Sequence, residues 1–278
     1  MKSLFQFFNP KPFPRPRQHG AWIMFLIPAF MAVFLDPRWV LPDIGLIFTF
    51  ILIFLSYQPL QRFLRQFLKR SVFDYAALQW TLLLGGGGII LAATLFLYYQ
   101  RWNSFLFGTI VLVLLLLHLM LAIQTNALAL PAELVGVLGL TAAAPTIAVF
   151  NTGTLNTQSI MVWLVNALYF AGSIFYIKLK LRIQPAMPKP EIQKRIKLGL
   201  PLLFYTLFLY VLLFGITQVY PSLDLLIIVF LPFAFKSIVG VLSWYDKSLA
   251  RPGRTGLLEI LHVGIFTVLT IITFAHFT

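Results

Sequence analysis

Nine apolar runs, each near the length that carries an α-helix across a bilayer, constrain this chain more than anything else in it. They lie near residues 20–35, 41–57, 77–99, 103–123, 128–150, 158–178, 197–217, 221–242 and 256–277. A hydrocarbon core about 30 Å thick is crossed by roughly 20 residues rising 1.5 Å each. Lipid offers the backbone no hydrogen bonds, so a run of that length closes its own as a helix. The expected fold class is therefore all-α: a polytopic membrane helix bundle of about nine transmembrane helices. Residues 20–278 would form one membrane domain behind a cytoplasmic N-terminal segment, 1–19. With 60% hydrophobic and 10% charged residues, the composition excludes a soluble domain. The absence of cysteine excludes disulfides, thiolate metal sites, iron–sulfur clusters and cysteine nucleophiles.

Charge supplies a test of the helix count, because it played no part in choosing the runs. Alternating the connections between two sides puts Lys2, Lys11, Arg15 and Arg17 with Arg62, Arg65, Lys69 and Arg70. The same side takes Lys178, Lys180, Arg182, Lys189, Lys194, Arg195 and Lys197, then Lys247, Arg251 and Arg254. The other side keeps only Arg38 and Arg101, and Lys236 falls inside a run. Positive charge marks the cytoplasmic side, so the N-terminus is expected inside and Thr278 outside. The net charge of +13 is thus spread over short connections facing anionic lipid headgroups, and no nucleic-acid partner is expected. The basic N-terminus before the first run has the outline of a secretory signal. No small-residue cleavage site comes after it, and it reads as an uncleaved first helix. The longest connections, 58–76 and 178–197, come after the second and sixth helices and read as cytoplasmic loops.

Polar groups inside a membrane are costly and face a cavity or a partner helix. His118, Glu133, Lys236, Glu259 and His262 all fall in the cytoplasmic half of their helices under this topology. In the sixth helix, Asn166, Tyr169, Ser173, Tyr176 and Lys180 recur at spacings of three and four and so share a face. That face is either a helix seam or a cavity wall. Glu259 lies three residues before His262 and has Lys236 or Arg254 as a partner, either to fix packing or as a functional acid. Gly85 to Gly88 in the third helix allow close packing or an unwound binding segment. The two histidines come with no ligand spacing, so no metal and no cofactor are expected.

Arg17-Gln-His19-Gly20-Ala-Trp22, leading into Ile23, Met24 and Pro28, resembles the start of the YwiC-like family of bacterial membrane proteins. Tyr169-Phe-Ala-Gly172-Ser173 with Tyr176, Lys178 and Arg182, and Arg251-Pro252 with Gly256, Leu257 and Glu259, add to that resemblance. It implies a bacterial inner membrane or an internal energy-transducing membrane, and no particular reaction. The helix count and the two enlarged cytoplasmic loops also resemble the UbiA superfamily of intramembrane prenyltransferases, whose aspartate-rich motifs hold Mg²⁺ and an isoprenyl diphosphate. Here those places read Ser56-Tyr57-Gln-Pro-Leu-Gln-Arg62 and Tyr176-Ile-Lys178-Leu-Lys180-Leu-Arg182. Neither has the acids that Mg²⁺ needs, which argues against that reaction.

The leading expectation is a UbiA-like bundle that binds membrane lipid, specifically an anionic lipid or isoprenoid, in a cytoplasm-facing pocket. Its lining would be Arg17, His19, Tyr57, Glu133, Ser173, Tyr176, Lys178, Arg182 and Glu259, with His19 and Glu259 as proton carriers for any catalysis. A transporter or channel using the third-helix glycines, with Lys236 and Glu259 as a coupling pair, is the alternative. A membrane assembly or accessory factor is a third. Whether the protein is an enzyme stays open on the sequence alone.

Overall fold

The computed structural model describes residues 19–36, 41–68, 74–124, 129–244 and 252–277. Among these the chain runs as α1 His19–Leu35, α2 Leu41–Leu68, α3 Tyr75–Tyr98, α4 Trp102–Gln124 and α5 Leu130–Thr152. It continues as α6 Thr157–Ala186, α7 Ile192–Val219, α8 Pro221–Leu242 and α9 Pro252–Ala275, with no strand among the described residues. Eight of these helices, α2 to α9, are long and apolar enough to cross a membrane. The ninth, α1, has 17 residues and is apolar but shorter. At 1.5 Å per residue it rises about 25 Å, short of a core about 30 Å thick. The protein is a polytopic all-α membrane protein.

Two expected loops are helix instead. α2 carries on through Pro59 to Leu68, and α6 runs to Ala186, so that only residues 187–191 turn before α7. Charge marks where a segment leaves hydrocarbon, and it does not end a helix. Leu60, Phe63, Leu64 and Phe67 keep helical spacing past the first arginine. A helix of 28 residues such as α2 is about 42 Å long and outruns the core.

The helices are interrupted without being broken. α3 contains a π-helical stretch, Thr81–Gly86, and returns to α-helix through the remaining glycines. Of the two readings of Gly85 to Gly88, the helix stays wound and two of the glycines serve close packing. A Cβ on Gly85 would lie 3.2 Å from the Ser56 hydroxyl, and one on Gly88 2.9 Å from Ile53, both on α2. Gly86 and Gly87 meet nothing within 4 Å. A second π-helical stretch, Leu179–Ile183, lies near the end of α6. Such stretches rotate the succeeding turns relative to a regular helix, and they recur at functional sites. α5 bends at Ala142, just ahead of Pro145, and ends at Gly153 with φ 76°, the left-handed turn that glycine favours.

The chain forms two compact units, Met1–Ile160 and Met161–Thr278. In the first, α2 packs along α3, α4 along α5, and α1 against both halves of α5. In the second, α7 packs on α8, and α8 on α9. Phe204, Leu207, Phe208, Val211 and Phe214 of α7 are exposed, as lipid-facing side chains are. Buried threonines such as Thr141, Thr146, Thr206 and Thr267 turn their hydroxyls back onto the carbonyl four residues earlier. This satisfies them where no water is available.

Candidate functional site

The polar centre of the second unit lies where α6, α8 and α9 bring their side chains together. Lys236 of α8 places its Nζ 2.9 and 2.8 Å from the two carboxylate oxygens of Glu259 on α9. Both residues are buried, at 5% and 9% exposure. Lys236 sits six residues before the end of α8, and Glu259 seven residues into α9. Both positions are thus about 9 to 10 Å along the helix axis from those ends. The ammonium also faces three rings, with its Nζ 4.8 Å from the centroid of Tyr176, 5.3 Å from Phe233 and 5.6 Å from Tyr169. Cation–π attraction of this kind adds to the ion pair when both are desolvated.

Around the pair, Tyr169 stacks on Phe266 of α9 with ring centroids 3.9 Å apart, which locks α6 to α9. Tyr176 lies against Gly240, where a Cβ would come within 2.8 Å of its ring. The hydroxyls of Tyr169 and Ser173, neighbours one turn apart on α6, are buried; they face each other and bond to no carbonyl. They differ in this from the threonines that bond back to their own helices.

The end of α6 is latched to the end of α8. Lys180 donates to the Ser243 and Trp244 carbonyls at 3.3 and 3.2 Å, and Gln184 to the Gly240 carbonyl at 2.8 Å. Trp244 returns a bond from Nε1 to the Met187 carbonyl at 2.7 Å. The last carbonyls of a helix lack partners within it, and a lysine there also suits the helix dipole. Lys180 thus closes the helix end and is buried in doing so.

The first unit has its own polar cluster. Gln61 donates to the Tyr57 hydroxyl at 3.3 Å, Tyr57 Oη lies 2.8 Å from His118 Nε2, and His118 Nδ1 lies 2.6 Å from the Ala132 carbonyl. A carbonyl only accepts, so Nδ1 carries the hydrogen and the Tyr57 hydroxyl donates to Nε2. The chain ties α2 to α4 and α4 to α5. Gly136 makes room for the imidazole, since a Cβ there would lie 3.0 Å from it. Arg65 donates to the Ala122 carbonyl at 2.9 Å in the last turn of α4, and Glu133 stands beside Ala132 in the first turn of α5. Among the described residues no three His, Asp or Glu side chains come together in a way that could hold a metal ion.

A family model described as YwiC-like protein matches residues 15–148. Over that stretch the chain is similar to that family. No curated protein and no solved structure matches the chain. The matched region takes in α1 to α4 and most of α5, with the Tyr57–His118 cluster, and stops short of α6 to α9. With its apolar helices it identifies an integral membrane protein. The stretches around Tyr169 and Arg251 that carry the rest of the resemblance lie beyond the matched residues.

Of the residues expected to line one pocket, Tyr176 and Glu259 gather around Lys236, which that set omitted, and Ser173 is buried one turn from Tyr176 on the same helix. Lys178 and Arg182 sit elsewhere on α6: Lys178 is half-buried and Arg182 exposed, and each is turned away from the face that carries Ser173. Tyr57 and Glu133 belong to the first unit. Arg17 and the side chain of His19 lie outside the described residues. Sequence reasoning passed over Tyr169, Phe233 and Gln61 as site members. Tyr169 was legible on the Asn166 to Lys180 stripe, and Lys236 from its depth, which equals that of Glu259. Nothing local marks Gln61.

Proposed function

We propose that the protein binds an anionic amphiphile, a lipid or isoprenoid with a charged head, at the expected cytoplasmic end of its second unit. Lys178 and Arg182 of α6 would be the head-group ligands. The observation that carries this reading is a basic flank above an aromatic stack. Phe175, one turn before Lys178, stacks on Tyr205 of α7 with ring centroids 5.0 Å apart, so this side of α6 turns toward α7. The first turns of α7 add Lys194 and Lys197, both exposed. Arginine offers a phosphate or carboxylate two parallel donors and lysine a point charge. Exposed apolar side chains on α7, from Leu200 to Leu207, give a tail somewhere to lie.

The head-group site is distinct from the buried pair, because Glu259 already neutralises Lys236 and would repel a second anion. The test is mass spectrometry of lipids retained by the protein purified in mild detergent. Each basic side chain near a membrane surface contributes about 1 kcal/mol toward an anionic head. Replacing Lys178 and Arg182 together by Ala is therefore expected to weaken retention of anionic lipid on the order of 30-fold. Equal retention by wild type and variant rejects the reading.

A further inference from the structure

We propose that the Lys236–Glu259 pair is an exchange site for a small monovalent cation, with the Glu259 carboxylate and the Tyr169 and Ser173 hydroxyl oxygens as its ligands. Lys236 is the occupant of the site in the state described. The argument begins with charge. A buried carboxylate needs one compensating positive charge, and removing a partner from such a pair leaves an uncompensated charge in a medium that punishes it. Among the described residues Glu259 receives that charge from Lys236, through both oxygens. Whatever takes the proton from Lys236 Nζ must bring a cation to Glu259, so proton release and cation entry balance one for one. The proton leaves Nζ for solvent, the amine becomes neutral, and the site keeps its net charge.

The second observation is the set of oxygens. Most buried threonine hydroxyls bond back to their own helix, as at Thr141, Thr146, Thr206 and Thr267, whereas Ser104 and Thr270 do not. Tyr169, 2% exposed, and Ser173, 3% exposed, make no such bond; Tyr169 feels the Glu259 charge, and the Ser173 hydroxyl stands beside that of Tyr169. Two hydroxyl oxygens and a carboxylate are hard donors, suited to an alkali cation. The faces of Tyr169, Tyr176 and Phe233, already turned toward the Lys236 ammonium, favour any cation held there.

Of the other titratable groups around the pair, Lys180, Tyr205 and His262 are engaged. On α6, Lys180 is bound to the end of α8. On α7, the Tyr205 hydroxyl donates to the Leu168 carbonyl. On α9, His262 Nδ1 is held by the Leu258 carbonyl. Tyr176 enters through its ring face.

The experiment is thermal unfolding of the full chain in detergent micelles. Sodium or potassium chloride is compared with N-methylglucamine chloride at equal ionic strength, in mildly acidic and in alkaline buffer. The expected result is a rise in Tm with the small cation in alkaline buffer that shrinks in acid, where Lys236 keeps its proton. In Lys236→Met the rise is expected in both buffers, and in Glu259→Gln in neither. Ser173→Ala, the mildest change, should weaken the apparent cation affinity about tenfold. The proposal is overturned if wild type in alkaline buffer shows no preference for the small cation. It is also overturned if a wild-type preference is untouched by Ser173→Ala. The wild-type and Ser173→Ala measurements decide the matter even if the two charge variants do not fold.

Discussion

Lys236 has exchanged its hydration for one carboxylate and three ring faces, and the consequence is asymmetric. With one partner gone, the other is left charged in a dry site, at a cost of about 3–5 kcal/mol. With both replaced by apolar residues of similar size, much of the cost disappears. Lys236→Ala measured in N-methylglucamine buffer is therefore expected to unfold at markedly lower temperature than wild type. The double variant Lys236→Met with Glu259→Met should recover most of the loss. A double variant no more stable than the single one would show that the pair does more than balance charge. His118 gives a second case in the other unit. Gly136→Ala puts a methyl 3.0 Å from the imidazole, and overpacking of that kind costs about 1–3 kcal/mol. Tyr57→Phe removes the donor to Nε2 and the acceptor for Gln61, at about 1 kcal/mol each, so thermal unfolding should show losses of similar size for the two variants. The partnership of Tyr57 with His118, 61 residues apart, could not be read from the sequence, because periodicity reports the face a residue occupies and not which helix lies opposite. Glu259 was different. Its depth matched that of Lys236, and the depth of a costly group in lipid is itself information.

Elements were legible where lipid sets the rules and obscure where it stops setting them. The apolar runs located every long helix among the described residues, because a segment in hydrocarbon has one way to satisfy its backbone. Their ends were less visible, as α2 and α6 show: both continue as helices through basic residues that were expected to begin loops. The π-helical stretches also left no clear mark, since hydrogen-bond register depends on what packs beside the helix. That of α6 comes just before the latch to α8, which yields a prediction at this scale. Gln184→Ala with Trp244→Phe removes two of the bonds that hold the end of α6, each contributing about 1 kcal/mol. Amide hydrogen exchange over residues 179–190 should then quicken while the middle of α6, around Tyr169, stays protected. Unchanged exchange over 179–190 would mean that Lys180 alone holds the end. The glycines of α3 behave in a related way. Four in a row allowed either close packing or unwinding, and Gly85 and Gly88, three apart, fall on one face and accept the side chains of α2.

For the whole molecule, the orientation comes from basic residues that recur on alternate connections, and the position of α1 decides whether the alternation begins inside. α1 is short by length alone, but a bilayer thins or flanking side chains reach outward to accommodate a mismatch of a few ångströms at modest cost. A second crossing at α2 with this charge distribution requires α1 to cross first. The absence of cysteine makes the test clean, since any single introduced thiol is the only one present. Met187→Cys, in the turn between α6 and α7, and Gly20→Cys, at the start of α1, should resist a membrane-impermeant thiol reagent in intact cells and react once the membrane is opened. Leu41→Cys, at the start of α2, and Leu155→Cys, between α5 and α6, should react in intact cells. If Gly20 and Leu41 are labelled from the same side while Leu155 and Met187 still differ, α1 lies along the interface and the bundle has eight crossings. That outcome would put the N-terminus outside the cell and remove Arg17 and His19 from any cytoplasmic site, while leaving the Lys236–Glu259 pair at the same depth.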